Sequence, residues 1–136
     1  MRYFLARVFV NLLFRVLSRV TVYGFERIPD VPNFIAVSNH VGRLDAGLVY
    51  YLLDRRDIIM LVAEKYRKHA WSRALVWAVD GIYIDRFNAD LNALREVFRR
   101  IKQGGVMVVA PEGTRSRSGT LQEGRDGASF VAARTG

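Results

Sequence analysis

Four short apolar runs set the strongest limit on how this chain can fold: FIAVS at 34–38, IIMLVA at 58–63, IYI at 82–84 and VMVVA at 106–110. Each is short and rich in β-branched side chains, so each reads as a strand buried in a sheet. Between them lie stretches with helical spacing, at 46–53, 71–79 and 89–102. In the last of these Leu91, Leu94, Val97, Phe98 and Ile101 recur on one face, and Gly104-Gly105 supplies the stop. Another helix begins at Gly127. Strands alternating with helices predict an α/β fold, a central and mostly parallel β-sheet flanked by helices.

Ahead of the first strand, residues 2–20 (RYFLARVFVNLLFRVLSRV) are apolar enough to suggest a membrane span or a signal peptide. The polar residues argue against both. At 100° per residue Arg7, Asn11, Arg15, Ser18 and Arg19 share one face, while Leu5, Phe9, Leu12, Val16 and Val20 lie opposite. Burying an Arg at the bilayer centre costs about 2.5–3.5 kcal/mol, against about 0.3–0.6 gained per Leu, Phe or Val, so Arg7 and Arg15 offset most of the gain. Residues 1–20 therefore predict an amphipathic helix lying on a membrane, ahead of a domain at 21–136. The same pattern also permits a helix docked on its own domain.

Charge narrows the partners. Twenty-one Lys and Arg against thirteen Asp and Glu give a net charge of +8, which suits anionic lipid headgroups, phosphorylated substrates or nucleic acid. No nucleic-acid motif is visible, so none of that class is expected. Cysteine is absent, which excludes disulfides, thiolate metal sites and a thiol nucleophile together. With His40 and His69 as the only histidines and no H-E-x-x-H, no metal site is expected.

Three polar clusters each follow a predicted strand, where α/β proteins place functional loops. The first is Asn39-His40 with Asp45 five residues after the histidine. A neutral imidazole accepts a proton near pH 7, and a carboxylate on its other nitrogen fixes the tautomer and stabilises the imidazolium. Read alone, the pair fits a turn filler and a helix cap equally well. No G-x-S-x-G elbow is present, so the attacking hydroxyl is assigned to the substrate. The second cluster is Gly81-Ile82-Tyr83-Ile84-Asp85-Arg86, and the third is Pro111-Glu112-Gly113-Thr114-Arg115-Ser116. Guanidinium groups and a Gly-opened turn suit an anion, although Asp85–Arg86 and Glu112–Arg115 ion pairs would explain the same residues.

Other conspicuous residues read more plainly. His69 fits an exposed helix position, Trp71 and Trp77 fit core or interface packing, and Lys65, Arg67, Lys68 and Arg73 form a basic segment suited to solvent, lipid phosphates or a coenzyme.

In this order and on these elements, the three clusters resemble the conserved blocks of the 1-acyl-glycerol-3-phosphate acyltransferase family over roughly residues 20–136. The resemblance implies transfer of a fatty acyl group from acyl-CoA or acyl carrier protein, as co-substrate and without cofactor, to the hydroxyl of a lysophospholipid. It implies His40 as general base, Asp45 as its orienter and Asn39 as loop support. It implies that Arg86, Glu112, Gly113 and Arg115 bind the acceptor phosphate, with Gly81 in the acceptor loop and Thr114 matching the third block. A protein of this kind is expected at a membrane, on its cytoplasmic face. Two departures stand out. The family often has Ser two residues after the histidine, where this chain has Gly42 followed by Arg43. Its fourth block, an apolar strand with a V-P-V-type segment, would follow Gly136, so the domain is expected to be incomplete at its C-terminus. Another lysophospholipid or glycolipid acceptor is the alternative within this chemistry, and a non-catalytic basic membrane-binding module the alternative outside it.

Overall fold

The computed structural model describes residues 2–42 and 44–136, without the side chain of Arg2; Arg43 of the first cluster lies outside the described residues. The four expected strands form one parallel sheet: β1 (Ile35–Val37), β2 (Ile58–Ala63), β3 (Ile82–Ile84) and β4 (Val106–Val109), in the order β1-β4-β2-β3. Ile35 pairs with Met107, Ile59 also with Met107, and Leu61 with Ile82, so the apolar runs lie in register across the sheet.

Helices α2 (Asp45–Leu52) and α3 (Ala70–Ala78) carry the chain in one direction, from β1 to β2 and from β2 to β3. Helix α4 (Leu91–Lys102) carries it back to β4, and α5 (Gly127–Thr135) follows. Right-handed crossovers therefore put α2 and α3 on one face and α4 on the other, where α5 packs beside it. Packing agrees with this. Ile59, Ile82 and Met107 form the core with Ala93, Val97 and Ile101 of α4 and Val131 of α5. On the opposite face, Val76 of α3 and Val62 of β2 both lie against Gly81.

Helix α4 begins two residues later than the periodicity predicts, because the Asp90 carboxylate accepts from the Ala93 N–H at 3.0 Å and caps it there. Its last turn holds Arg99, Arg100 and Lys102, favourable beside the free carbonyls. The tryptophans do not enter the core. Helix α3 buries only Ser72 and Val76, leaving Trp71 stacked on His69 and exposed, and Trp77 also exposed.

Helix α1 (Arg2–Leu17) is shorter than the predicted 2–20. The Ser18 hydroxyl and backbone N–H both donate to the Phe14 carbonyl and close its end. It packs across α2 as an outer layer: the Phe14 ring is buried, stacks on Tyr51 at 5.3 Å, and fills the space over Gly47. The polar face is not wholly turned to solvent. Arg7 pairs with Asp54 of the domain, Asn11 is half-buried, and Phe4, Leu5, Phe9, Leu12, Val16 and Leu17 point outward and exposed. Docking thus uses the Tyr3–Arg7–Phe14 side and leaves the apolar stripe uncovered. Among the described residues no helix is long and apolar enough to cross a membrane.

Candidate active site

Adjacent strands β1 and β4 send their following helices, α2 and α5, to opposite faces of the sheet. A crevice opens outside the carboxyl ends of two such strands, and α/β proteins bind ligands there. The loop of His40 leaves β1 and the turn of Glu112 leaves β4, so the first and third clusters meet at this point. The Ser116 N–H donates to the His40 carbonyl at 2.7 Å, and the Ser38 N–H to Val109 at 3.2 Å.

His40 Nδ1 lies 2.7 Å from Asp45 Oδ2. With the carboxylate ionised, Nδ1 carries the proton and Nε2, which has no hydrogen-bond partner among the described residues, is left as the basic nitrogen. Asp45 opens α2 but does not cap it; the residue before it, Leu44, makes no side-chain cap. Its carboxylate instead accepts from the backbone N–H groups of Val41 and Gly42, at 2.9 Å each. Gly42 permits this closure, because a Cβ there would stand 2.8 Å from Asp45 Oδ1. Partial burial pushes the Asp45 carboxyl up, and the hydrogen bonds from His40, Gly42 and Val41 together outweigh it, holding the group below its usual range.

Neither alternative ion pair forms among the described residues. The Asp85 carboxylate accepts from the Phe87 N–H and the Asn88 amide, while Arg86 turns away and donates through Nη1 to the Gly113 carbonyl. This bond brings the second cluster to the third. Glu112 is 6% exposed, and both its carboxylate oxygens are buried with no hydrogen-bond partner among the described residues. When ionised, such a group needs a donor, which water or a bound substrate can supply. Asn39 lines, with Glu112, Ser38 and Leu121, a cavity of about 230 Å³. Gly113 turns the chain with φ +66°, a conformation that favours glycine. Thr114 is exposed and Arg115 half-buried. Gly81 is not brought to this cluster: it packs on Val76 at the far end of β3, roughly 10 Å from Ile84, where the strand ends ahead of Arg86, at about 3.3 Å of rise per residue.

Arg7, Arg55, Arg67, Arg99 and Arg100 pair with carboxylates. Arg86, Arg115, Arg117 and Arg125, around the Gly113 turn, have no carboxylate partner among the described residues, and such a group attracts an anion. Ser116, within the third cluster, acts here through its backbone N–H, which any residue but proline supplies, so its identity does not reveal the role. Another member of this arrangement escapes sequence reasoning altogether. Arg125 lies in an aperiodic segment, EGRDG, with no motif to mark it.

A family model described as Acyltransferase matches residues 19–136. Over 119 residues the chain is 32% identical to 1-acyl-sn-glycerol-3-phosphate acyltransferase alpha of Mus musculus, covering 84% of this chain and 41% of that protein. It is 26% identical over 140 residues to a chloroplastic 1-acyl-sn-glycerol-3-phosphate acyltransferase of Arabidopsis thaliana, covering 98% of this chain and 38% of that one. The crystal structure of the 1-acyl-sn-glycerophosphate (LPA) acyltransferase PlsC from Thermotoga maritima matches with a TM-score of 0.77 and 30% identity, over 98% of this chain and 54% of that chain. The chain thus spans about two fifths of these curated relatives and about half of the solved chain.

Proposed function

Because this chain belongs to the acyltransferase family, we propose that it moves a fatty acyl group from acyl-CoA or acyl carrier protein to the free hydroxyl of 1-acyl-glycerol-3-phosphate, giving phosphatidic acid. The acyltransferase names of its relatives support the acceptor class. The observation that carries the reading is the His40–Asp45 hydrogen bond, set at the crevice beside unpaired guanidinium groups.

In this scheme His40 Nε2 takes the proton of the acceptor hydroxyl as that oxygen attacks the thioester carbonyl. Asp45 stabilises the imidazolium through Nδ1–H. When the tetrahedral intermediate collapses, the C–S bond breaks and the imidazolium returns the proton to the departing thiolate, leaving an ester and a free thiol. No metal or bound cofactor enters these steps. Arg86 and Arg115 hold the acceptor phosphate at the Gly113 turn, and the buried Glu112 carboxylate accepts a hydrogen bond from the acceptor.

The substrates carry acyl chains, and the outward stripe of Leu5, Phe9, Leu12 and Val16 supplies a surface for lying on a bilayer. A net charge of +8 favours the anionic, cytoplasmic leaflet. To test the whole reading, thiol release from acyl-CoA is followed with and without lysophosphatidic acid. Release should require the acceptor and fall to background in His40→Ala, and turnover that persists in that variant would overturn it.

A further inference from the structure

We infer that Arg125 is the positioning residue of the phosphate site, tying the Arg86 loop to the Gly113 turn. The inference rests on the acceptor-phosphate reading of Arg86 and deepens it.

Three segments far apart in sequence close into one ring. The Arg125 backbone N–H donates to the Pro111 carbonyl at 2.9 Å, and its Nη1 donates to the Arg86 carbonyl at 2.9 Å. Arg86 in turn donates to the Gly113 carbonyl. The ring closes at Gly113 itself, because Cδ, Nε and Cζ of Arg125 lie 3.5 to 3.8 Å from the point a Cβ on residue 113 would occupy. Arg125 therefore sits against the turn while holding the loop that carries Arg86.

Some arginines spend their donors on carboxylates, as Arg99 does on Glu96. Arg125 has no carboxylate partner among the described residues, and it is exposed. One backbone carbonyl is a weak anchor for a long side chain, which loses rotamer freedom to make the bond. Placing Arg125 beside Arg86 also sets like charges close together. An anion at the turn removes both difficulties: it offsets the repulsion and gives the ordered loop something to hold.

The test uses sn-glycerol 3-phosphate as the probe, with uncharged glycerol as control, titrated into the protein by calorimetry. Wild type should bind the phosphate compound and not glycerol. Arg86→Ala and Arg125→Ala should each weaken binding about tenfold or more, and Arg125→Lys should restore part of the loss. The double variant should be no weaker than Arg86→Ala alone, because Arg125 acts through Arg86. Wild type that fails to bind, or Arg86→Ala that binds like wild type, removes the phosphate reading itself. Loss in Arg86→Ala with wild-type binding in Arg125→Ala and Arg125→Lys removes only Arg125, and additive losses in the double variant remove its action through Arg86. A melting curve of each variant, expected within a few degrees of wild type, separates binding from folding.

Discussion

His40 Nδ1 and Asp45 Oδ2 stand 2.7 Å apart in a turn whose backbone N–H groups, from Val41 and Gly42, bind the same carboxylate. The carboxylate is held by the loop, and the imidazole is held by the carboxylate. A helix cap would have aimed those oxygens into α2 and left His40 unoriented. Asp45→Asn keeps the side-chain shape but loses the charge, and its amide nitrogen would face an N–H donor. Acyl transfer should fall about 10²- to 10⁴-fold, the range for losing effective base catalysis. Initial rates of thiol release measure this, and a loss under about threefold would return Asp45 to a structural role.

Acid should act on this fold through carboxylates whose titration folding has lowered. Hydrogen bonds from Arg99 and Arg100 take Glu96 down to about 2, from an ordinary 4.5, and Asp45 is lowered too. Between the folded and unfolded values the unfolded chain binds more protons. The stabilisation is therefore complete above the unfolded value and is lost as pH falls towards the folded one. Glu96 is partly exposed, so its share is at most about 1 kcal/mol and is screened by salt. In Glu96→Gln, urea midpoints should depend less on pH between about 4.5 and 2 than in wild type, and the difference should shrink in 1 M NaCl.

The elements were more legible than the bonds between them. All four strands lie where the β-branched runs place them, since a run of such residues is stable only when buried in a sheet. Helix ends shifted by a residue or two wherever a side chain supplied a cap, as Asp90 does for α4. Spacing revealed the two faces of α1 but not which one meets the domain. That depended on Gly47, whose missing side chain makes room for Phe14, and on Asp54, which draws Arg7 inward. At the site, cluster order brought forward His40, Arg86 and Glu112 as candidates, but not that Arg86 would reach Gly113 in place of Asp85. Such a choice between a carbonyl and a carboxylate is tertiary, and no periodicity encodes it.

Gly113 carries the turn at φ +66° with the Arg86 guanidinium on its carbonyl. A side chain in this region costs about 1–2 kcal/mol. Gly113→Ala should lower stability by about 1 kcal/mol if the turn keeps its shape, or relax the turn and carry the carbonyl away from Arg86. Either way the acceptor KM should rise more than the donor KM. Steady-state kinetics varying each substrate in turn, with a urea melt, check both parts; an unchanged acceptor KM would detach the turn from the acceptor.

The two sides of α1 should separate stability from membrane binding. Phe14 is 6% exposed and stacks on Tyr51, so Phe14→Ala should cost about 3 kcal/mol and loosen α1 from α2. Leu12 is 61% exposed, and Leu12→Glu should change stability by no more than about 0.5 kcal/mol. At a bilayer the order reverses. An apolar side chain of this size gains about 1.5–3 kcal/mol on leaving water, and a carboxylate near anionic headgroups is repelled as well. Leu12→Glu should therefore weaken binding to vesicles of mixed phosphatidylglycerol and phosphatidylcholine by about tenfold or more, while its melting temperature stays near wild type. Sedimentation with vesicles, at matched ionic strength, reads the partition directly. Binding unchanged in Leu12→Glu would mean that the outward stripe does not meet the membrane.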